Sequence, residues 1–173
     1  VASAASTAAA SGATTAAPAA GDALSLAEGS KVGFVGSKVT GKHEGGFKTV
    51  KASAKLADGK AAGGSVEVEI DMKSTFSDDE KLTGHLLTAD FFDAEKHPQA
   101  KFVSTSIKEG GTGGTHTVSG NLTLRGETKG IDFPATTEFS INRKDFKIEY
   151  AGKADDLIND LVVIKLDLTF KKG

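Results

Sequence analysis

The sequence contains no cysteine, which excludes disulfides, thiolate metal sites and cysteine nucleophiles and leaves the redox compartment open. Tryptophan is also missing, and a single tyrosine, Tyr150, stands beside ten phenylalanines. No stretch approaches the ~18 consecutive apolar residues of a membrane-spanning helix. Long runs of strong helix formers are absent too. Neither sign of charge dominates, since 21 Lys and Arg against 23 Asp and Glu leave a net −2. The basic residues are scattered, so there is no electrostatic footprint for nucleic acid or for an anionic membrane surface.

Missing motifs narrow the chemistry further. His43, His85, His97 and His116 lack ligand spacing, so no metal site is expected. No Gly-x-Ser-x-Gly elbow occurs. Gly36–Lys42 has the spacing of a phosphate loop, but His43 stands where Ser or Thr must hold magnesium, and a strand follows in place of a helix. The reading is a non-enzyme with no catalytic residue and no cofactor.

Residues 1–23 are expected to be a disordered tether. They consist almost wholly of Ala, Ser, Thr and Gly, with no charge before Asp22, and cannot bury enough apolar surface to offset their ordering entropy. The segment lacks the basic start and compact apolar stretch of a signal peptide. The expectation is an exported domain, periplasmic or extracellular, whose processed N-terminal arm could connect it to a membrane. Residues 24–173 then form one domain, large enough for a single core.

From Leu24 onward apolar residues recur with period two, the spacing of a half-buried strand. Val66, Val68, Ile70 and Met72 share one face, as do Val162, Ile164, Leu166, Leu168 and Phe170, and Val50, Ala52, Ala54 and Leu56. Less regular runs cover Lys31–Val39, Ala100–Lys108, Thr115–Arg125, Lys129–Phe133 and Thr137–Tyr150. Turns are expected at Asp58-Gly59, Gly63-Gly64 and Gly110–Gly114. Ser77-Asp78-Asp79-Glu80 has capping-box spacing, and Leu82, Leu86 and Leu87 follow at helical intervals, which predicts one helix over Asp78–Thr88. The fold class is all-β: several alternating strands with turn signals between them indicate a sandwich or an antiparallel barrel, with one short inserted helix.

An eight-stranded barrel is just wide enough to be filled by side chains or to hold one small ligand. The inward sets mix Phe34, Phe102, Leu122, Leu124 and Ile131 with the small Ala52, Ala54 and Ser104. Without tryptophan that mixture predicts an underfilled apolar tunnel. Pattern alone favours ordinary core over a tunnel, because core is everywhere and pockets are few.

A resemblance shifts that balance. Thr83–Phe102 carries His85-Leu86, then Asp90, Phe91-Phe92 and Lys96-His97-Pro98. Gly120-Asn121-Leu122-Thr123-Leu124-Arg125-Gly126-Glu127-Thr128-Lys129 and Asn142-Arg143-Lys144-Asp145-Phe146 follow in order. Together they resemble the polyisoprenoid-binding YceI-like family across about Leu24 to Lys171. Two departures are visible: Lys81-Leu82-Thr83-Gly84 stands where the family often has Arg-Asp, and Lys147 where glycine is common.

The resemblance implies an extended, eight-stranded antiparallel barrel of lipocalin-like form that binds a polyisoprenoid, an isoprenoid quinone or a fatty-acid derivative for transport or storage. Phe91 and Phe92 would cap the tunnel, and Phe34, Phe102, Leu122, Leu124 and Ile131 would line it. Val68, Ile70, Leu86, Phe133 and Leu166 complete the candidate lipid contacts, with His85 as a polar contact at the mouth. Arg143 and Asp145 read as a structural ion pair. The partner is a long-chain isoprenoid or other apolar lipid, bound by a monomer or homodimer. Two rival readings stand beside this one. The first is a tethered surface module that binds another protein through the barrel rim; the second is an enzyme using His85 with Asp90 or Asp93 as an acid–base pair.

Overall fold

The computed structural model describes residues 6–7, 9–11, 22–110, 116–135 and 138–172. Period-two alternation becomes strand nearly everywhere. The order is β1 (Ser6–Thr7), β2 (Ala9–Ser11), β3 (Asp22–Leu26), β4 (Lys31–Lys38), β5 (Gly41–Phe47), β6 (Val50–Ala57), β7 (Lys60–Asp71) and β8 (Thr75–Ser77). Helix α1 (Glu80–Leu86) follows, then β9 (Gln99–Glu109), β10 (His116–Leu124), β11 (Glu127–Pro134) and β12 (Glu138–Asn142). The chain closes with β13 (Gly152–Lys153), β14 (Asp156–Leu157), β15 (Leu161–Asp167) and β16 (Phe170–Lys172).

These segments form a six-stranded sheet, β1-β12-β15-β4-β5-β8, an eight-stranded sheet, β16-β3-β6-β7-β9-β10-β11-β2, and the small pair β13-β14. All pairings are antiparallel except β1 with β12. The expected closed eight-stranded barrel is therefore corrected. The wall holds more than eight strand segments, and no closed hydrogen-bonded ring forms among the described residues. Consecutive strands pass from one sheet to the other within a few residues at β3/β4, β5/β6, β7/β8, β11/β12 and β15/β16, which wraps the two sheets around a shared interior. The hydrogen-bonded wall opens where β11 and β12 pair with segments of the N-terminal arm and not with each other. Behind that seam, Phe133 and Phe139 stack with centroids 4.3 Å apart and planes 10° from parallel. Such a contact adds about 0.5–1.5 kcal/mol beyond area burial.

The arm itself departs from the expected tether at β1 and β2, which are strand, and β3 begins at Asp22. Backbone ladder bonds explain the departure, because an open sheet edge offers partners to any extended segment whatever its side chains. The remainder of residues 1–21 lies outside the described residues.

Several local expectations shift for identifiable reasons. Helix α1 is shorter than predicted, and its cap is Asp79, whose side chain accepts from Leu82 N, in place of Ser77. Ser77 hydrogen-bonds Thr83 Oγ1 at 2.8 Å and the Asp79 carbonyl at 2.7 Å. Gly63-Gly64 is no turn but lies inside β7, opposite a register shift in β6. A Cβ at Gly64 would stand 2.2 Å from the Lys55 carbonyl oxygen, so the bulge needs glycine. Asp58-Gly59 does form the hairpin turn, with both residues at positive φ. The Thr137–Tyr150 run stops as strand at Asn142, whose side chain caps the 3₁₀ turn Arg143–Phe146. That turn ends on Lys147 at φ +60°, the left-handed region, which accounts for glycine being common there in the resembling family.

The core is one cluster running through both sheets, and glycine shapes it at two places. Phe34 pairs with Gly45 across β4 and β5, and a Cβ on Gly45 would sit 2.5 Å from the Phe34 ring. Phe102 leans over Gly120 in the same way, again at 2.5 Å. Each ring thus occupies the space of a missing side chain and lies against the wall. For Gly120→Ala we expect a destabilisation of about 1–3 kcal/mol, because the new methyl meets both the ring and the Val103 carbonyl at 2.5 Å. Urea unfolding checks this, and an unchanged midpoint would remove the close-packing argument.

Candidate functional site

Strand alternation turns one face of every long strand toward the interior. Val68 and Ile70 face in from β7, Phe102 from β9, Leu122 and Leu124 from β10, and Ile131 and Phe133 from β11. Phe34 from β4 and Leu166 from β15 complete the opposite wall. These side chains surround a cavity of about 240 Å³. An engineered apolar cavity of roughly 150 Å³ stays dry and admits benzene, so this space suits an apolar guest and not a water cluster.

At one end the cavity meets α1 and the turn after it. Leu86, Phe91 and Phe92 close that end, with Phe34, Phe47 and Phe92 in mutual ring contact at 5.6–6.0 Å. Arg125, in the β10–β11 turn at φ +53°, ties the assembly together by donating to the carbonyls of Ala89 and Lys147. Arg143 is buried, and its guanidinium donates to the carbonyls of Ile148, Ile158 and Asn159 at 2.7–3.3 Å and approaches Asp160 Oδ1 at 3.5 Å. The structural role expected for Arg143 holds, but its carboxylate is Asp160. The expected Arg143–Asp145 pair is corrected because the 3₁₀ turn directs Arg143 toward the segment before β15.

All the sequence-predicted lipid contacts except His85 line this cavity. His85 instead lines a second space of about 260 Å³, open to solvent, which shares Phe34, Gly36, Leu86, Phe91 and Ile158 with the first. The two are therefore adjoining compartments, one apolar and one, a vestibule, whose mostly apolar wall also carries polar side chains. Polar residues of this vestibule are Ser37, Lys38, His43, His85, Tyr150, Lys153 and Asp156. His85 Nε2 lies 2.8 Å from Asp90 Oδ2, and its ring packs edge-on against Phe91 and Tyr150 at 4.9 Å. The pairing considered with Asp90 forms; Asp93 instead faces Lys96 at 3.8 Å.

Some lining residues escaped the sequence reading. Val32, Phe47, Met72, Phe139, Ile141, Ile148, Val162, Ile164 and Leu168 also border the large cavity. Met72, Val162, Ile164 and Leu168 stand in the alternating runs, so period two carries their signal. Phe139 and Ile141 alternate with Glu138 and Ser140, a pattern obscured by the irregular run around them. Of the small residues expected inward, Ser104 is buried, with its hydroxyl accepting from Val66 N at 2.8 Å. Ala52 packs at the edge of the core and does not reach the cavity.

With this geometry in hand, comparison with known proteins settles the family. Residues 26–170 match the YceI-like domain. The chain belongs to the YceI-like family. A UPF0312 protein of Pseudomonas syringae pv. tomato is 31% identical over 140 residues, covering 73% of this chain and 71% of the relative. A UPF0312 protein of Pseudomonas putida is 37% identical over 53% of this chain, and the match spans only 47% of that relative's length. Among solved structures, BcnA of Burkholderia cenocepacia superposes with a TM-score of 0.68 at 29% identity, covering 80% of this chain and 94% of BcnA. A polyisoprenoid-binding domain from Saccharophagus degradans, implicated in plant cell wall breakdown, gives 0.63 at 19% identity, covering 88% and 99%. At that identity it speaks for the fold alone.

The vestibule also yields a pH expectation. Lys38 Nζ lies 2.6 Å from Asp156 Oδ2, while Oδ1 accepts from Thr40 N and Oγ1 at 3.0 and 2.8 Å. The Lys38 hydrogen bond, then the Thr40 amide, lower the Asp156 carboxyl from an ordinary 3.8 to about 2. A depressed carboxylate contributes stability that is full above the unfolded value and lost as pH falls through the folded one. Asp156→Asn should therefore cost stability at pH 6, and the difference from wild type should fade between about pH 4 and pH 2. Thermal melts of both proteins across that range check it, and a difference independent of pH would contradict it.

Proposed function

We propose that this protein binds a long apolar lipid, a polyisoprenoid or isoprenoid quinone or a fatty-acid derivative, in the interior between its two sheets, and carries or stores it. One observation supports this most: an apolar cavity walled by both sheets, adjoining a second space that is open to solvent and carries some polar side chains. Each CH₂ buried there contributes roughly 0.8 kcal/mol, so a chain of a dozen or so carbons supplies on the order of 10 kcal/mol before ordering costs. Such a wall offers contact area and no group to move protons or electrons, which favours binding over catalysis. The Saccharophagus domain of the same fold, described as polyisoprenoid-binding, points the same way. A location outside the cytoplasm, with the N-terminal arm as a link to a membrane, belongs to this reading and rests on the composition of that arm.

Filling the cavity tests the assignment. Leu122→Trp enlarges a half-buried side chain on the lining and leaves Gly45 and Gly120 in place. The expected outcome is a loss of about tenfold or more in affinity for a long-chain prenol, with a cooperative melt retained. Displacement of an environment-sensitive fluorescent lipid reads the affinity. Unchanged prenol binding by the folded variant would move the ligand out of this cavity.

A further inference from the structure

We infer that the seam between β11 and β12 is a side entrance to the apolar cavity, and that the arm strands β1 and β2 are a removable bar across it; this rests on the lipid-binding reading. β11 and β12 follow one another in the chain, yet the arm lies between them. β2 runs antiparallel to β11, pairing Ala9, Ala10 and Ser11 with Asp132, Ile131 and Gly130. β1 runs parallel to β12, pairing Ser6 with Phe139 and Thr7 with Ser140. β1 also comes close to β11, and β2 to β12, so both arm strands occupy one slot between the two edges.

Neighbouring strands stand about 4.7–4.9 Å apart, so edges separated by one interposed strand lie about 10 Å apart. Lifting the arm out opens a slot of that width, enough for a hydrocarbon chain to pass. Its lips are apolar on their inner side. Ile131 and Phe133 of β11 and Phe139 and Ile141 of β12 are buried, and all four line the cavity. A chain entering sideways meets this lining at once. A chain entering through the vestibule first passes Lys38, His43, His85, Lys153 and Asp156.

The bar is also weakly held. β10 and β11 share a ladder from Thr117–Pro134 to Leu124–Glu127, and β12 and β15 share one from Glu138–Lys165 to Asn142–Leu161. Against these the arm offers two short strands, of two and three residues. Their residues, Ser6, Thr7, Ala9, Ala10 and Ser11, bring no large apolar side chain to bury and no charge to pair, so backbone hydrogen bonds are their main attachment. Segments held in this way open locally while the rest of the fold stays intact. The end around α1 is tied differently, with Arg125 and Arg143 donating to backbone carbonyls there. The stacked rings of Phe133 and Phe139 join the two lips near the connection from β11 to β12, which leaves the stretch beside Ile131 and Ile141 free to open.

A reversible staple tests this in the full chain. The sequence has no cysteine, so a disulfide made by Ala9→Cys with Asp132→Cys, at partner positions of the β2–β11 ladder, is the only one the protein can form. Directly paired residues fall within the Cα separation of about 4.4–6.8 Å that a disulfide spans. Asp132 is exposed, so the bond stays off the lining. The probe is retinol, an isoprenoid that fluoresces in apolar surroundings, followed by stopped flow, with geranylgeraniol to displace it. Oxidation of the staple is expected to slow uptake and release alike about tenfold or more, with affinity changed less than about threefold, and reduction to restore both rates. Ala10→Pro removes a backbone N–H from the arm and is expected to speed both rates about threefold or more. Equal rates in the oxidised and reduced states would overturn the side entrance and move lipid entry to the vestibule, leaving the cavity assignment standing. If the staple does not form, Ala10→Pro decides, and rates equal to wild type overturn the entrance. Failure of both retinol and geranylgeraniol to bind any form would overturn the lipid-binding reading, and this inference with it.

Discussion

Where the aromatic rings go decides whether this fold has an interior at all. Phe34 and Phe102 are large enough to reach across a narrow lumen, and either could close it. Each lies over a glycine, Gly45 or Gly120, in the volume a side chain would occupy. The rings therefore contribute burial, about 1.5–3 kcal/mol apiece, while lining the cavity and not plugging it. The absence of tryptophan acts in the same direction. The protein can thus be packed in its wall and open at its centre, which is the condition a lipid carrier must meet.

The closure around α1 and the vestibule beside it are built on different physics. Around α1, closure depends on aromatic contacts and on two arginines that satisfy backbone carbonyls. Arg143 is buried and would leave the Ile148, Ile158 and Asn159 oxygens unpaired if removed, so it locks the segment between β12 and β15 in place. The vestibule beside it is governed by charge, with carboxylates set against Lys38, His43 and His85. At the seam between β11 and β12 neither device operates. Short backbone ladders with the N-terminal arm and the Phe133–Phe139 stack hold it.

Much of this was legible from the chain because period-two alternation is a direct record of inward and outward faces. Val66 to Met72 and Val162 to Leu168 kept their expected facing, and the candidate apolar contacts from Phe34 to Leu166 fall around one cavity. What alternation cannot record is where a strand bends or stops. Gly63-Gly64 reads as a turn in sequence, yet the bulge in β7 uses the same glycines to let the Lys55 carbonyl approach. Closure is not legible for a similar reason, since nothing in β11 or β12 announces that their edges meet the arm and not each other. His85 borders the second space, and its partner Asp90 and its aromatic neighbours become visible only in three dimensions. Arg143 shows the limit most plainly: its nearest acid in sequence is not its partner in space, because the 3₁₀ turn reorients it toward Asp160.

The central claim is that the interior holds an apolar chain, and native mass spectrometry of the purified protein tests it most directly. The account predicts a stoichiometric mass increment that organic extraction resolves into an isoprenoid or fatty lipid, or, for protein stripped of lipid, the return of that increment on incubation with a long-chain prenol. A protein that stays at its bare chain mass after such incubation, while folded, would contradict the account.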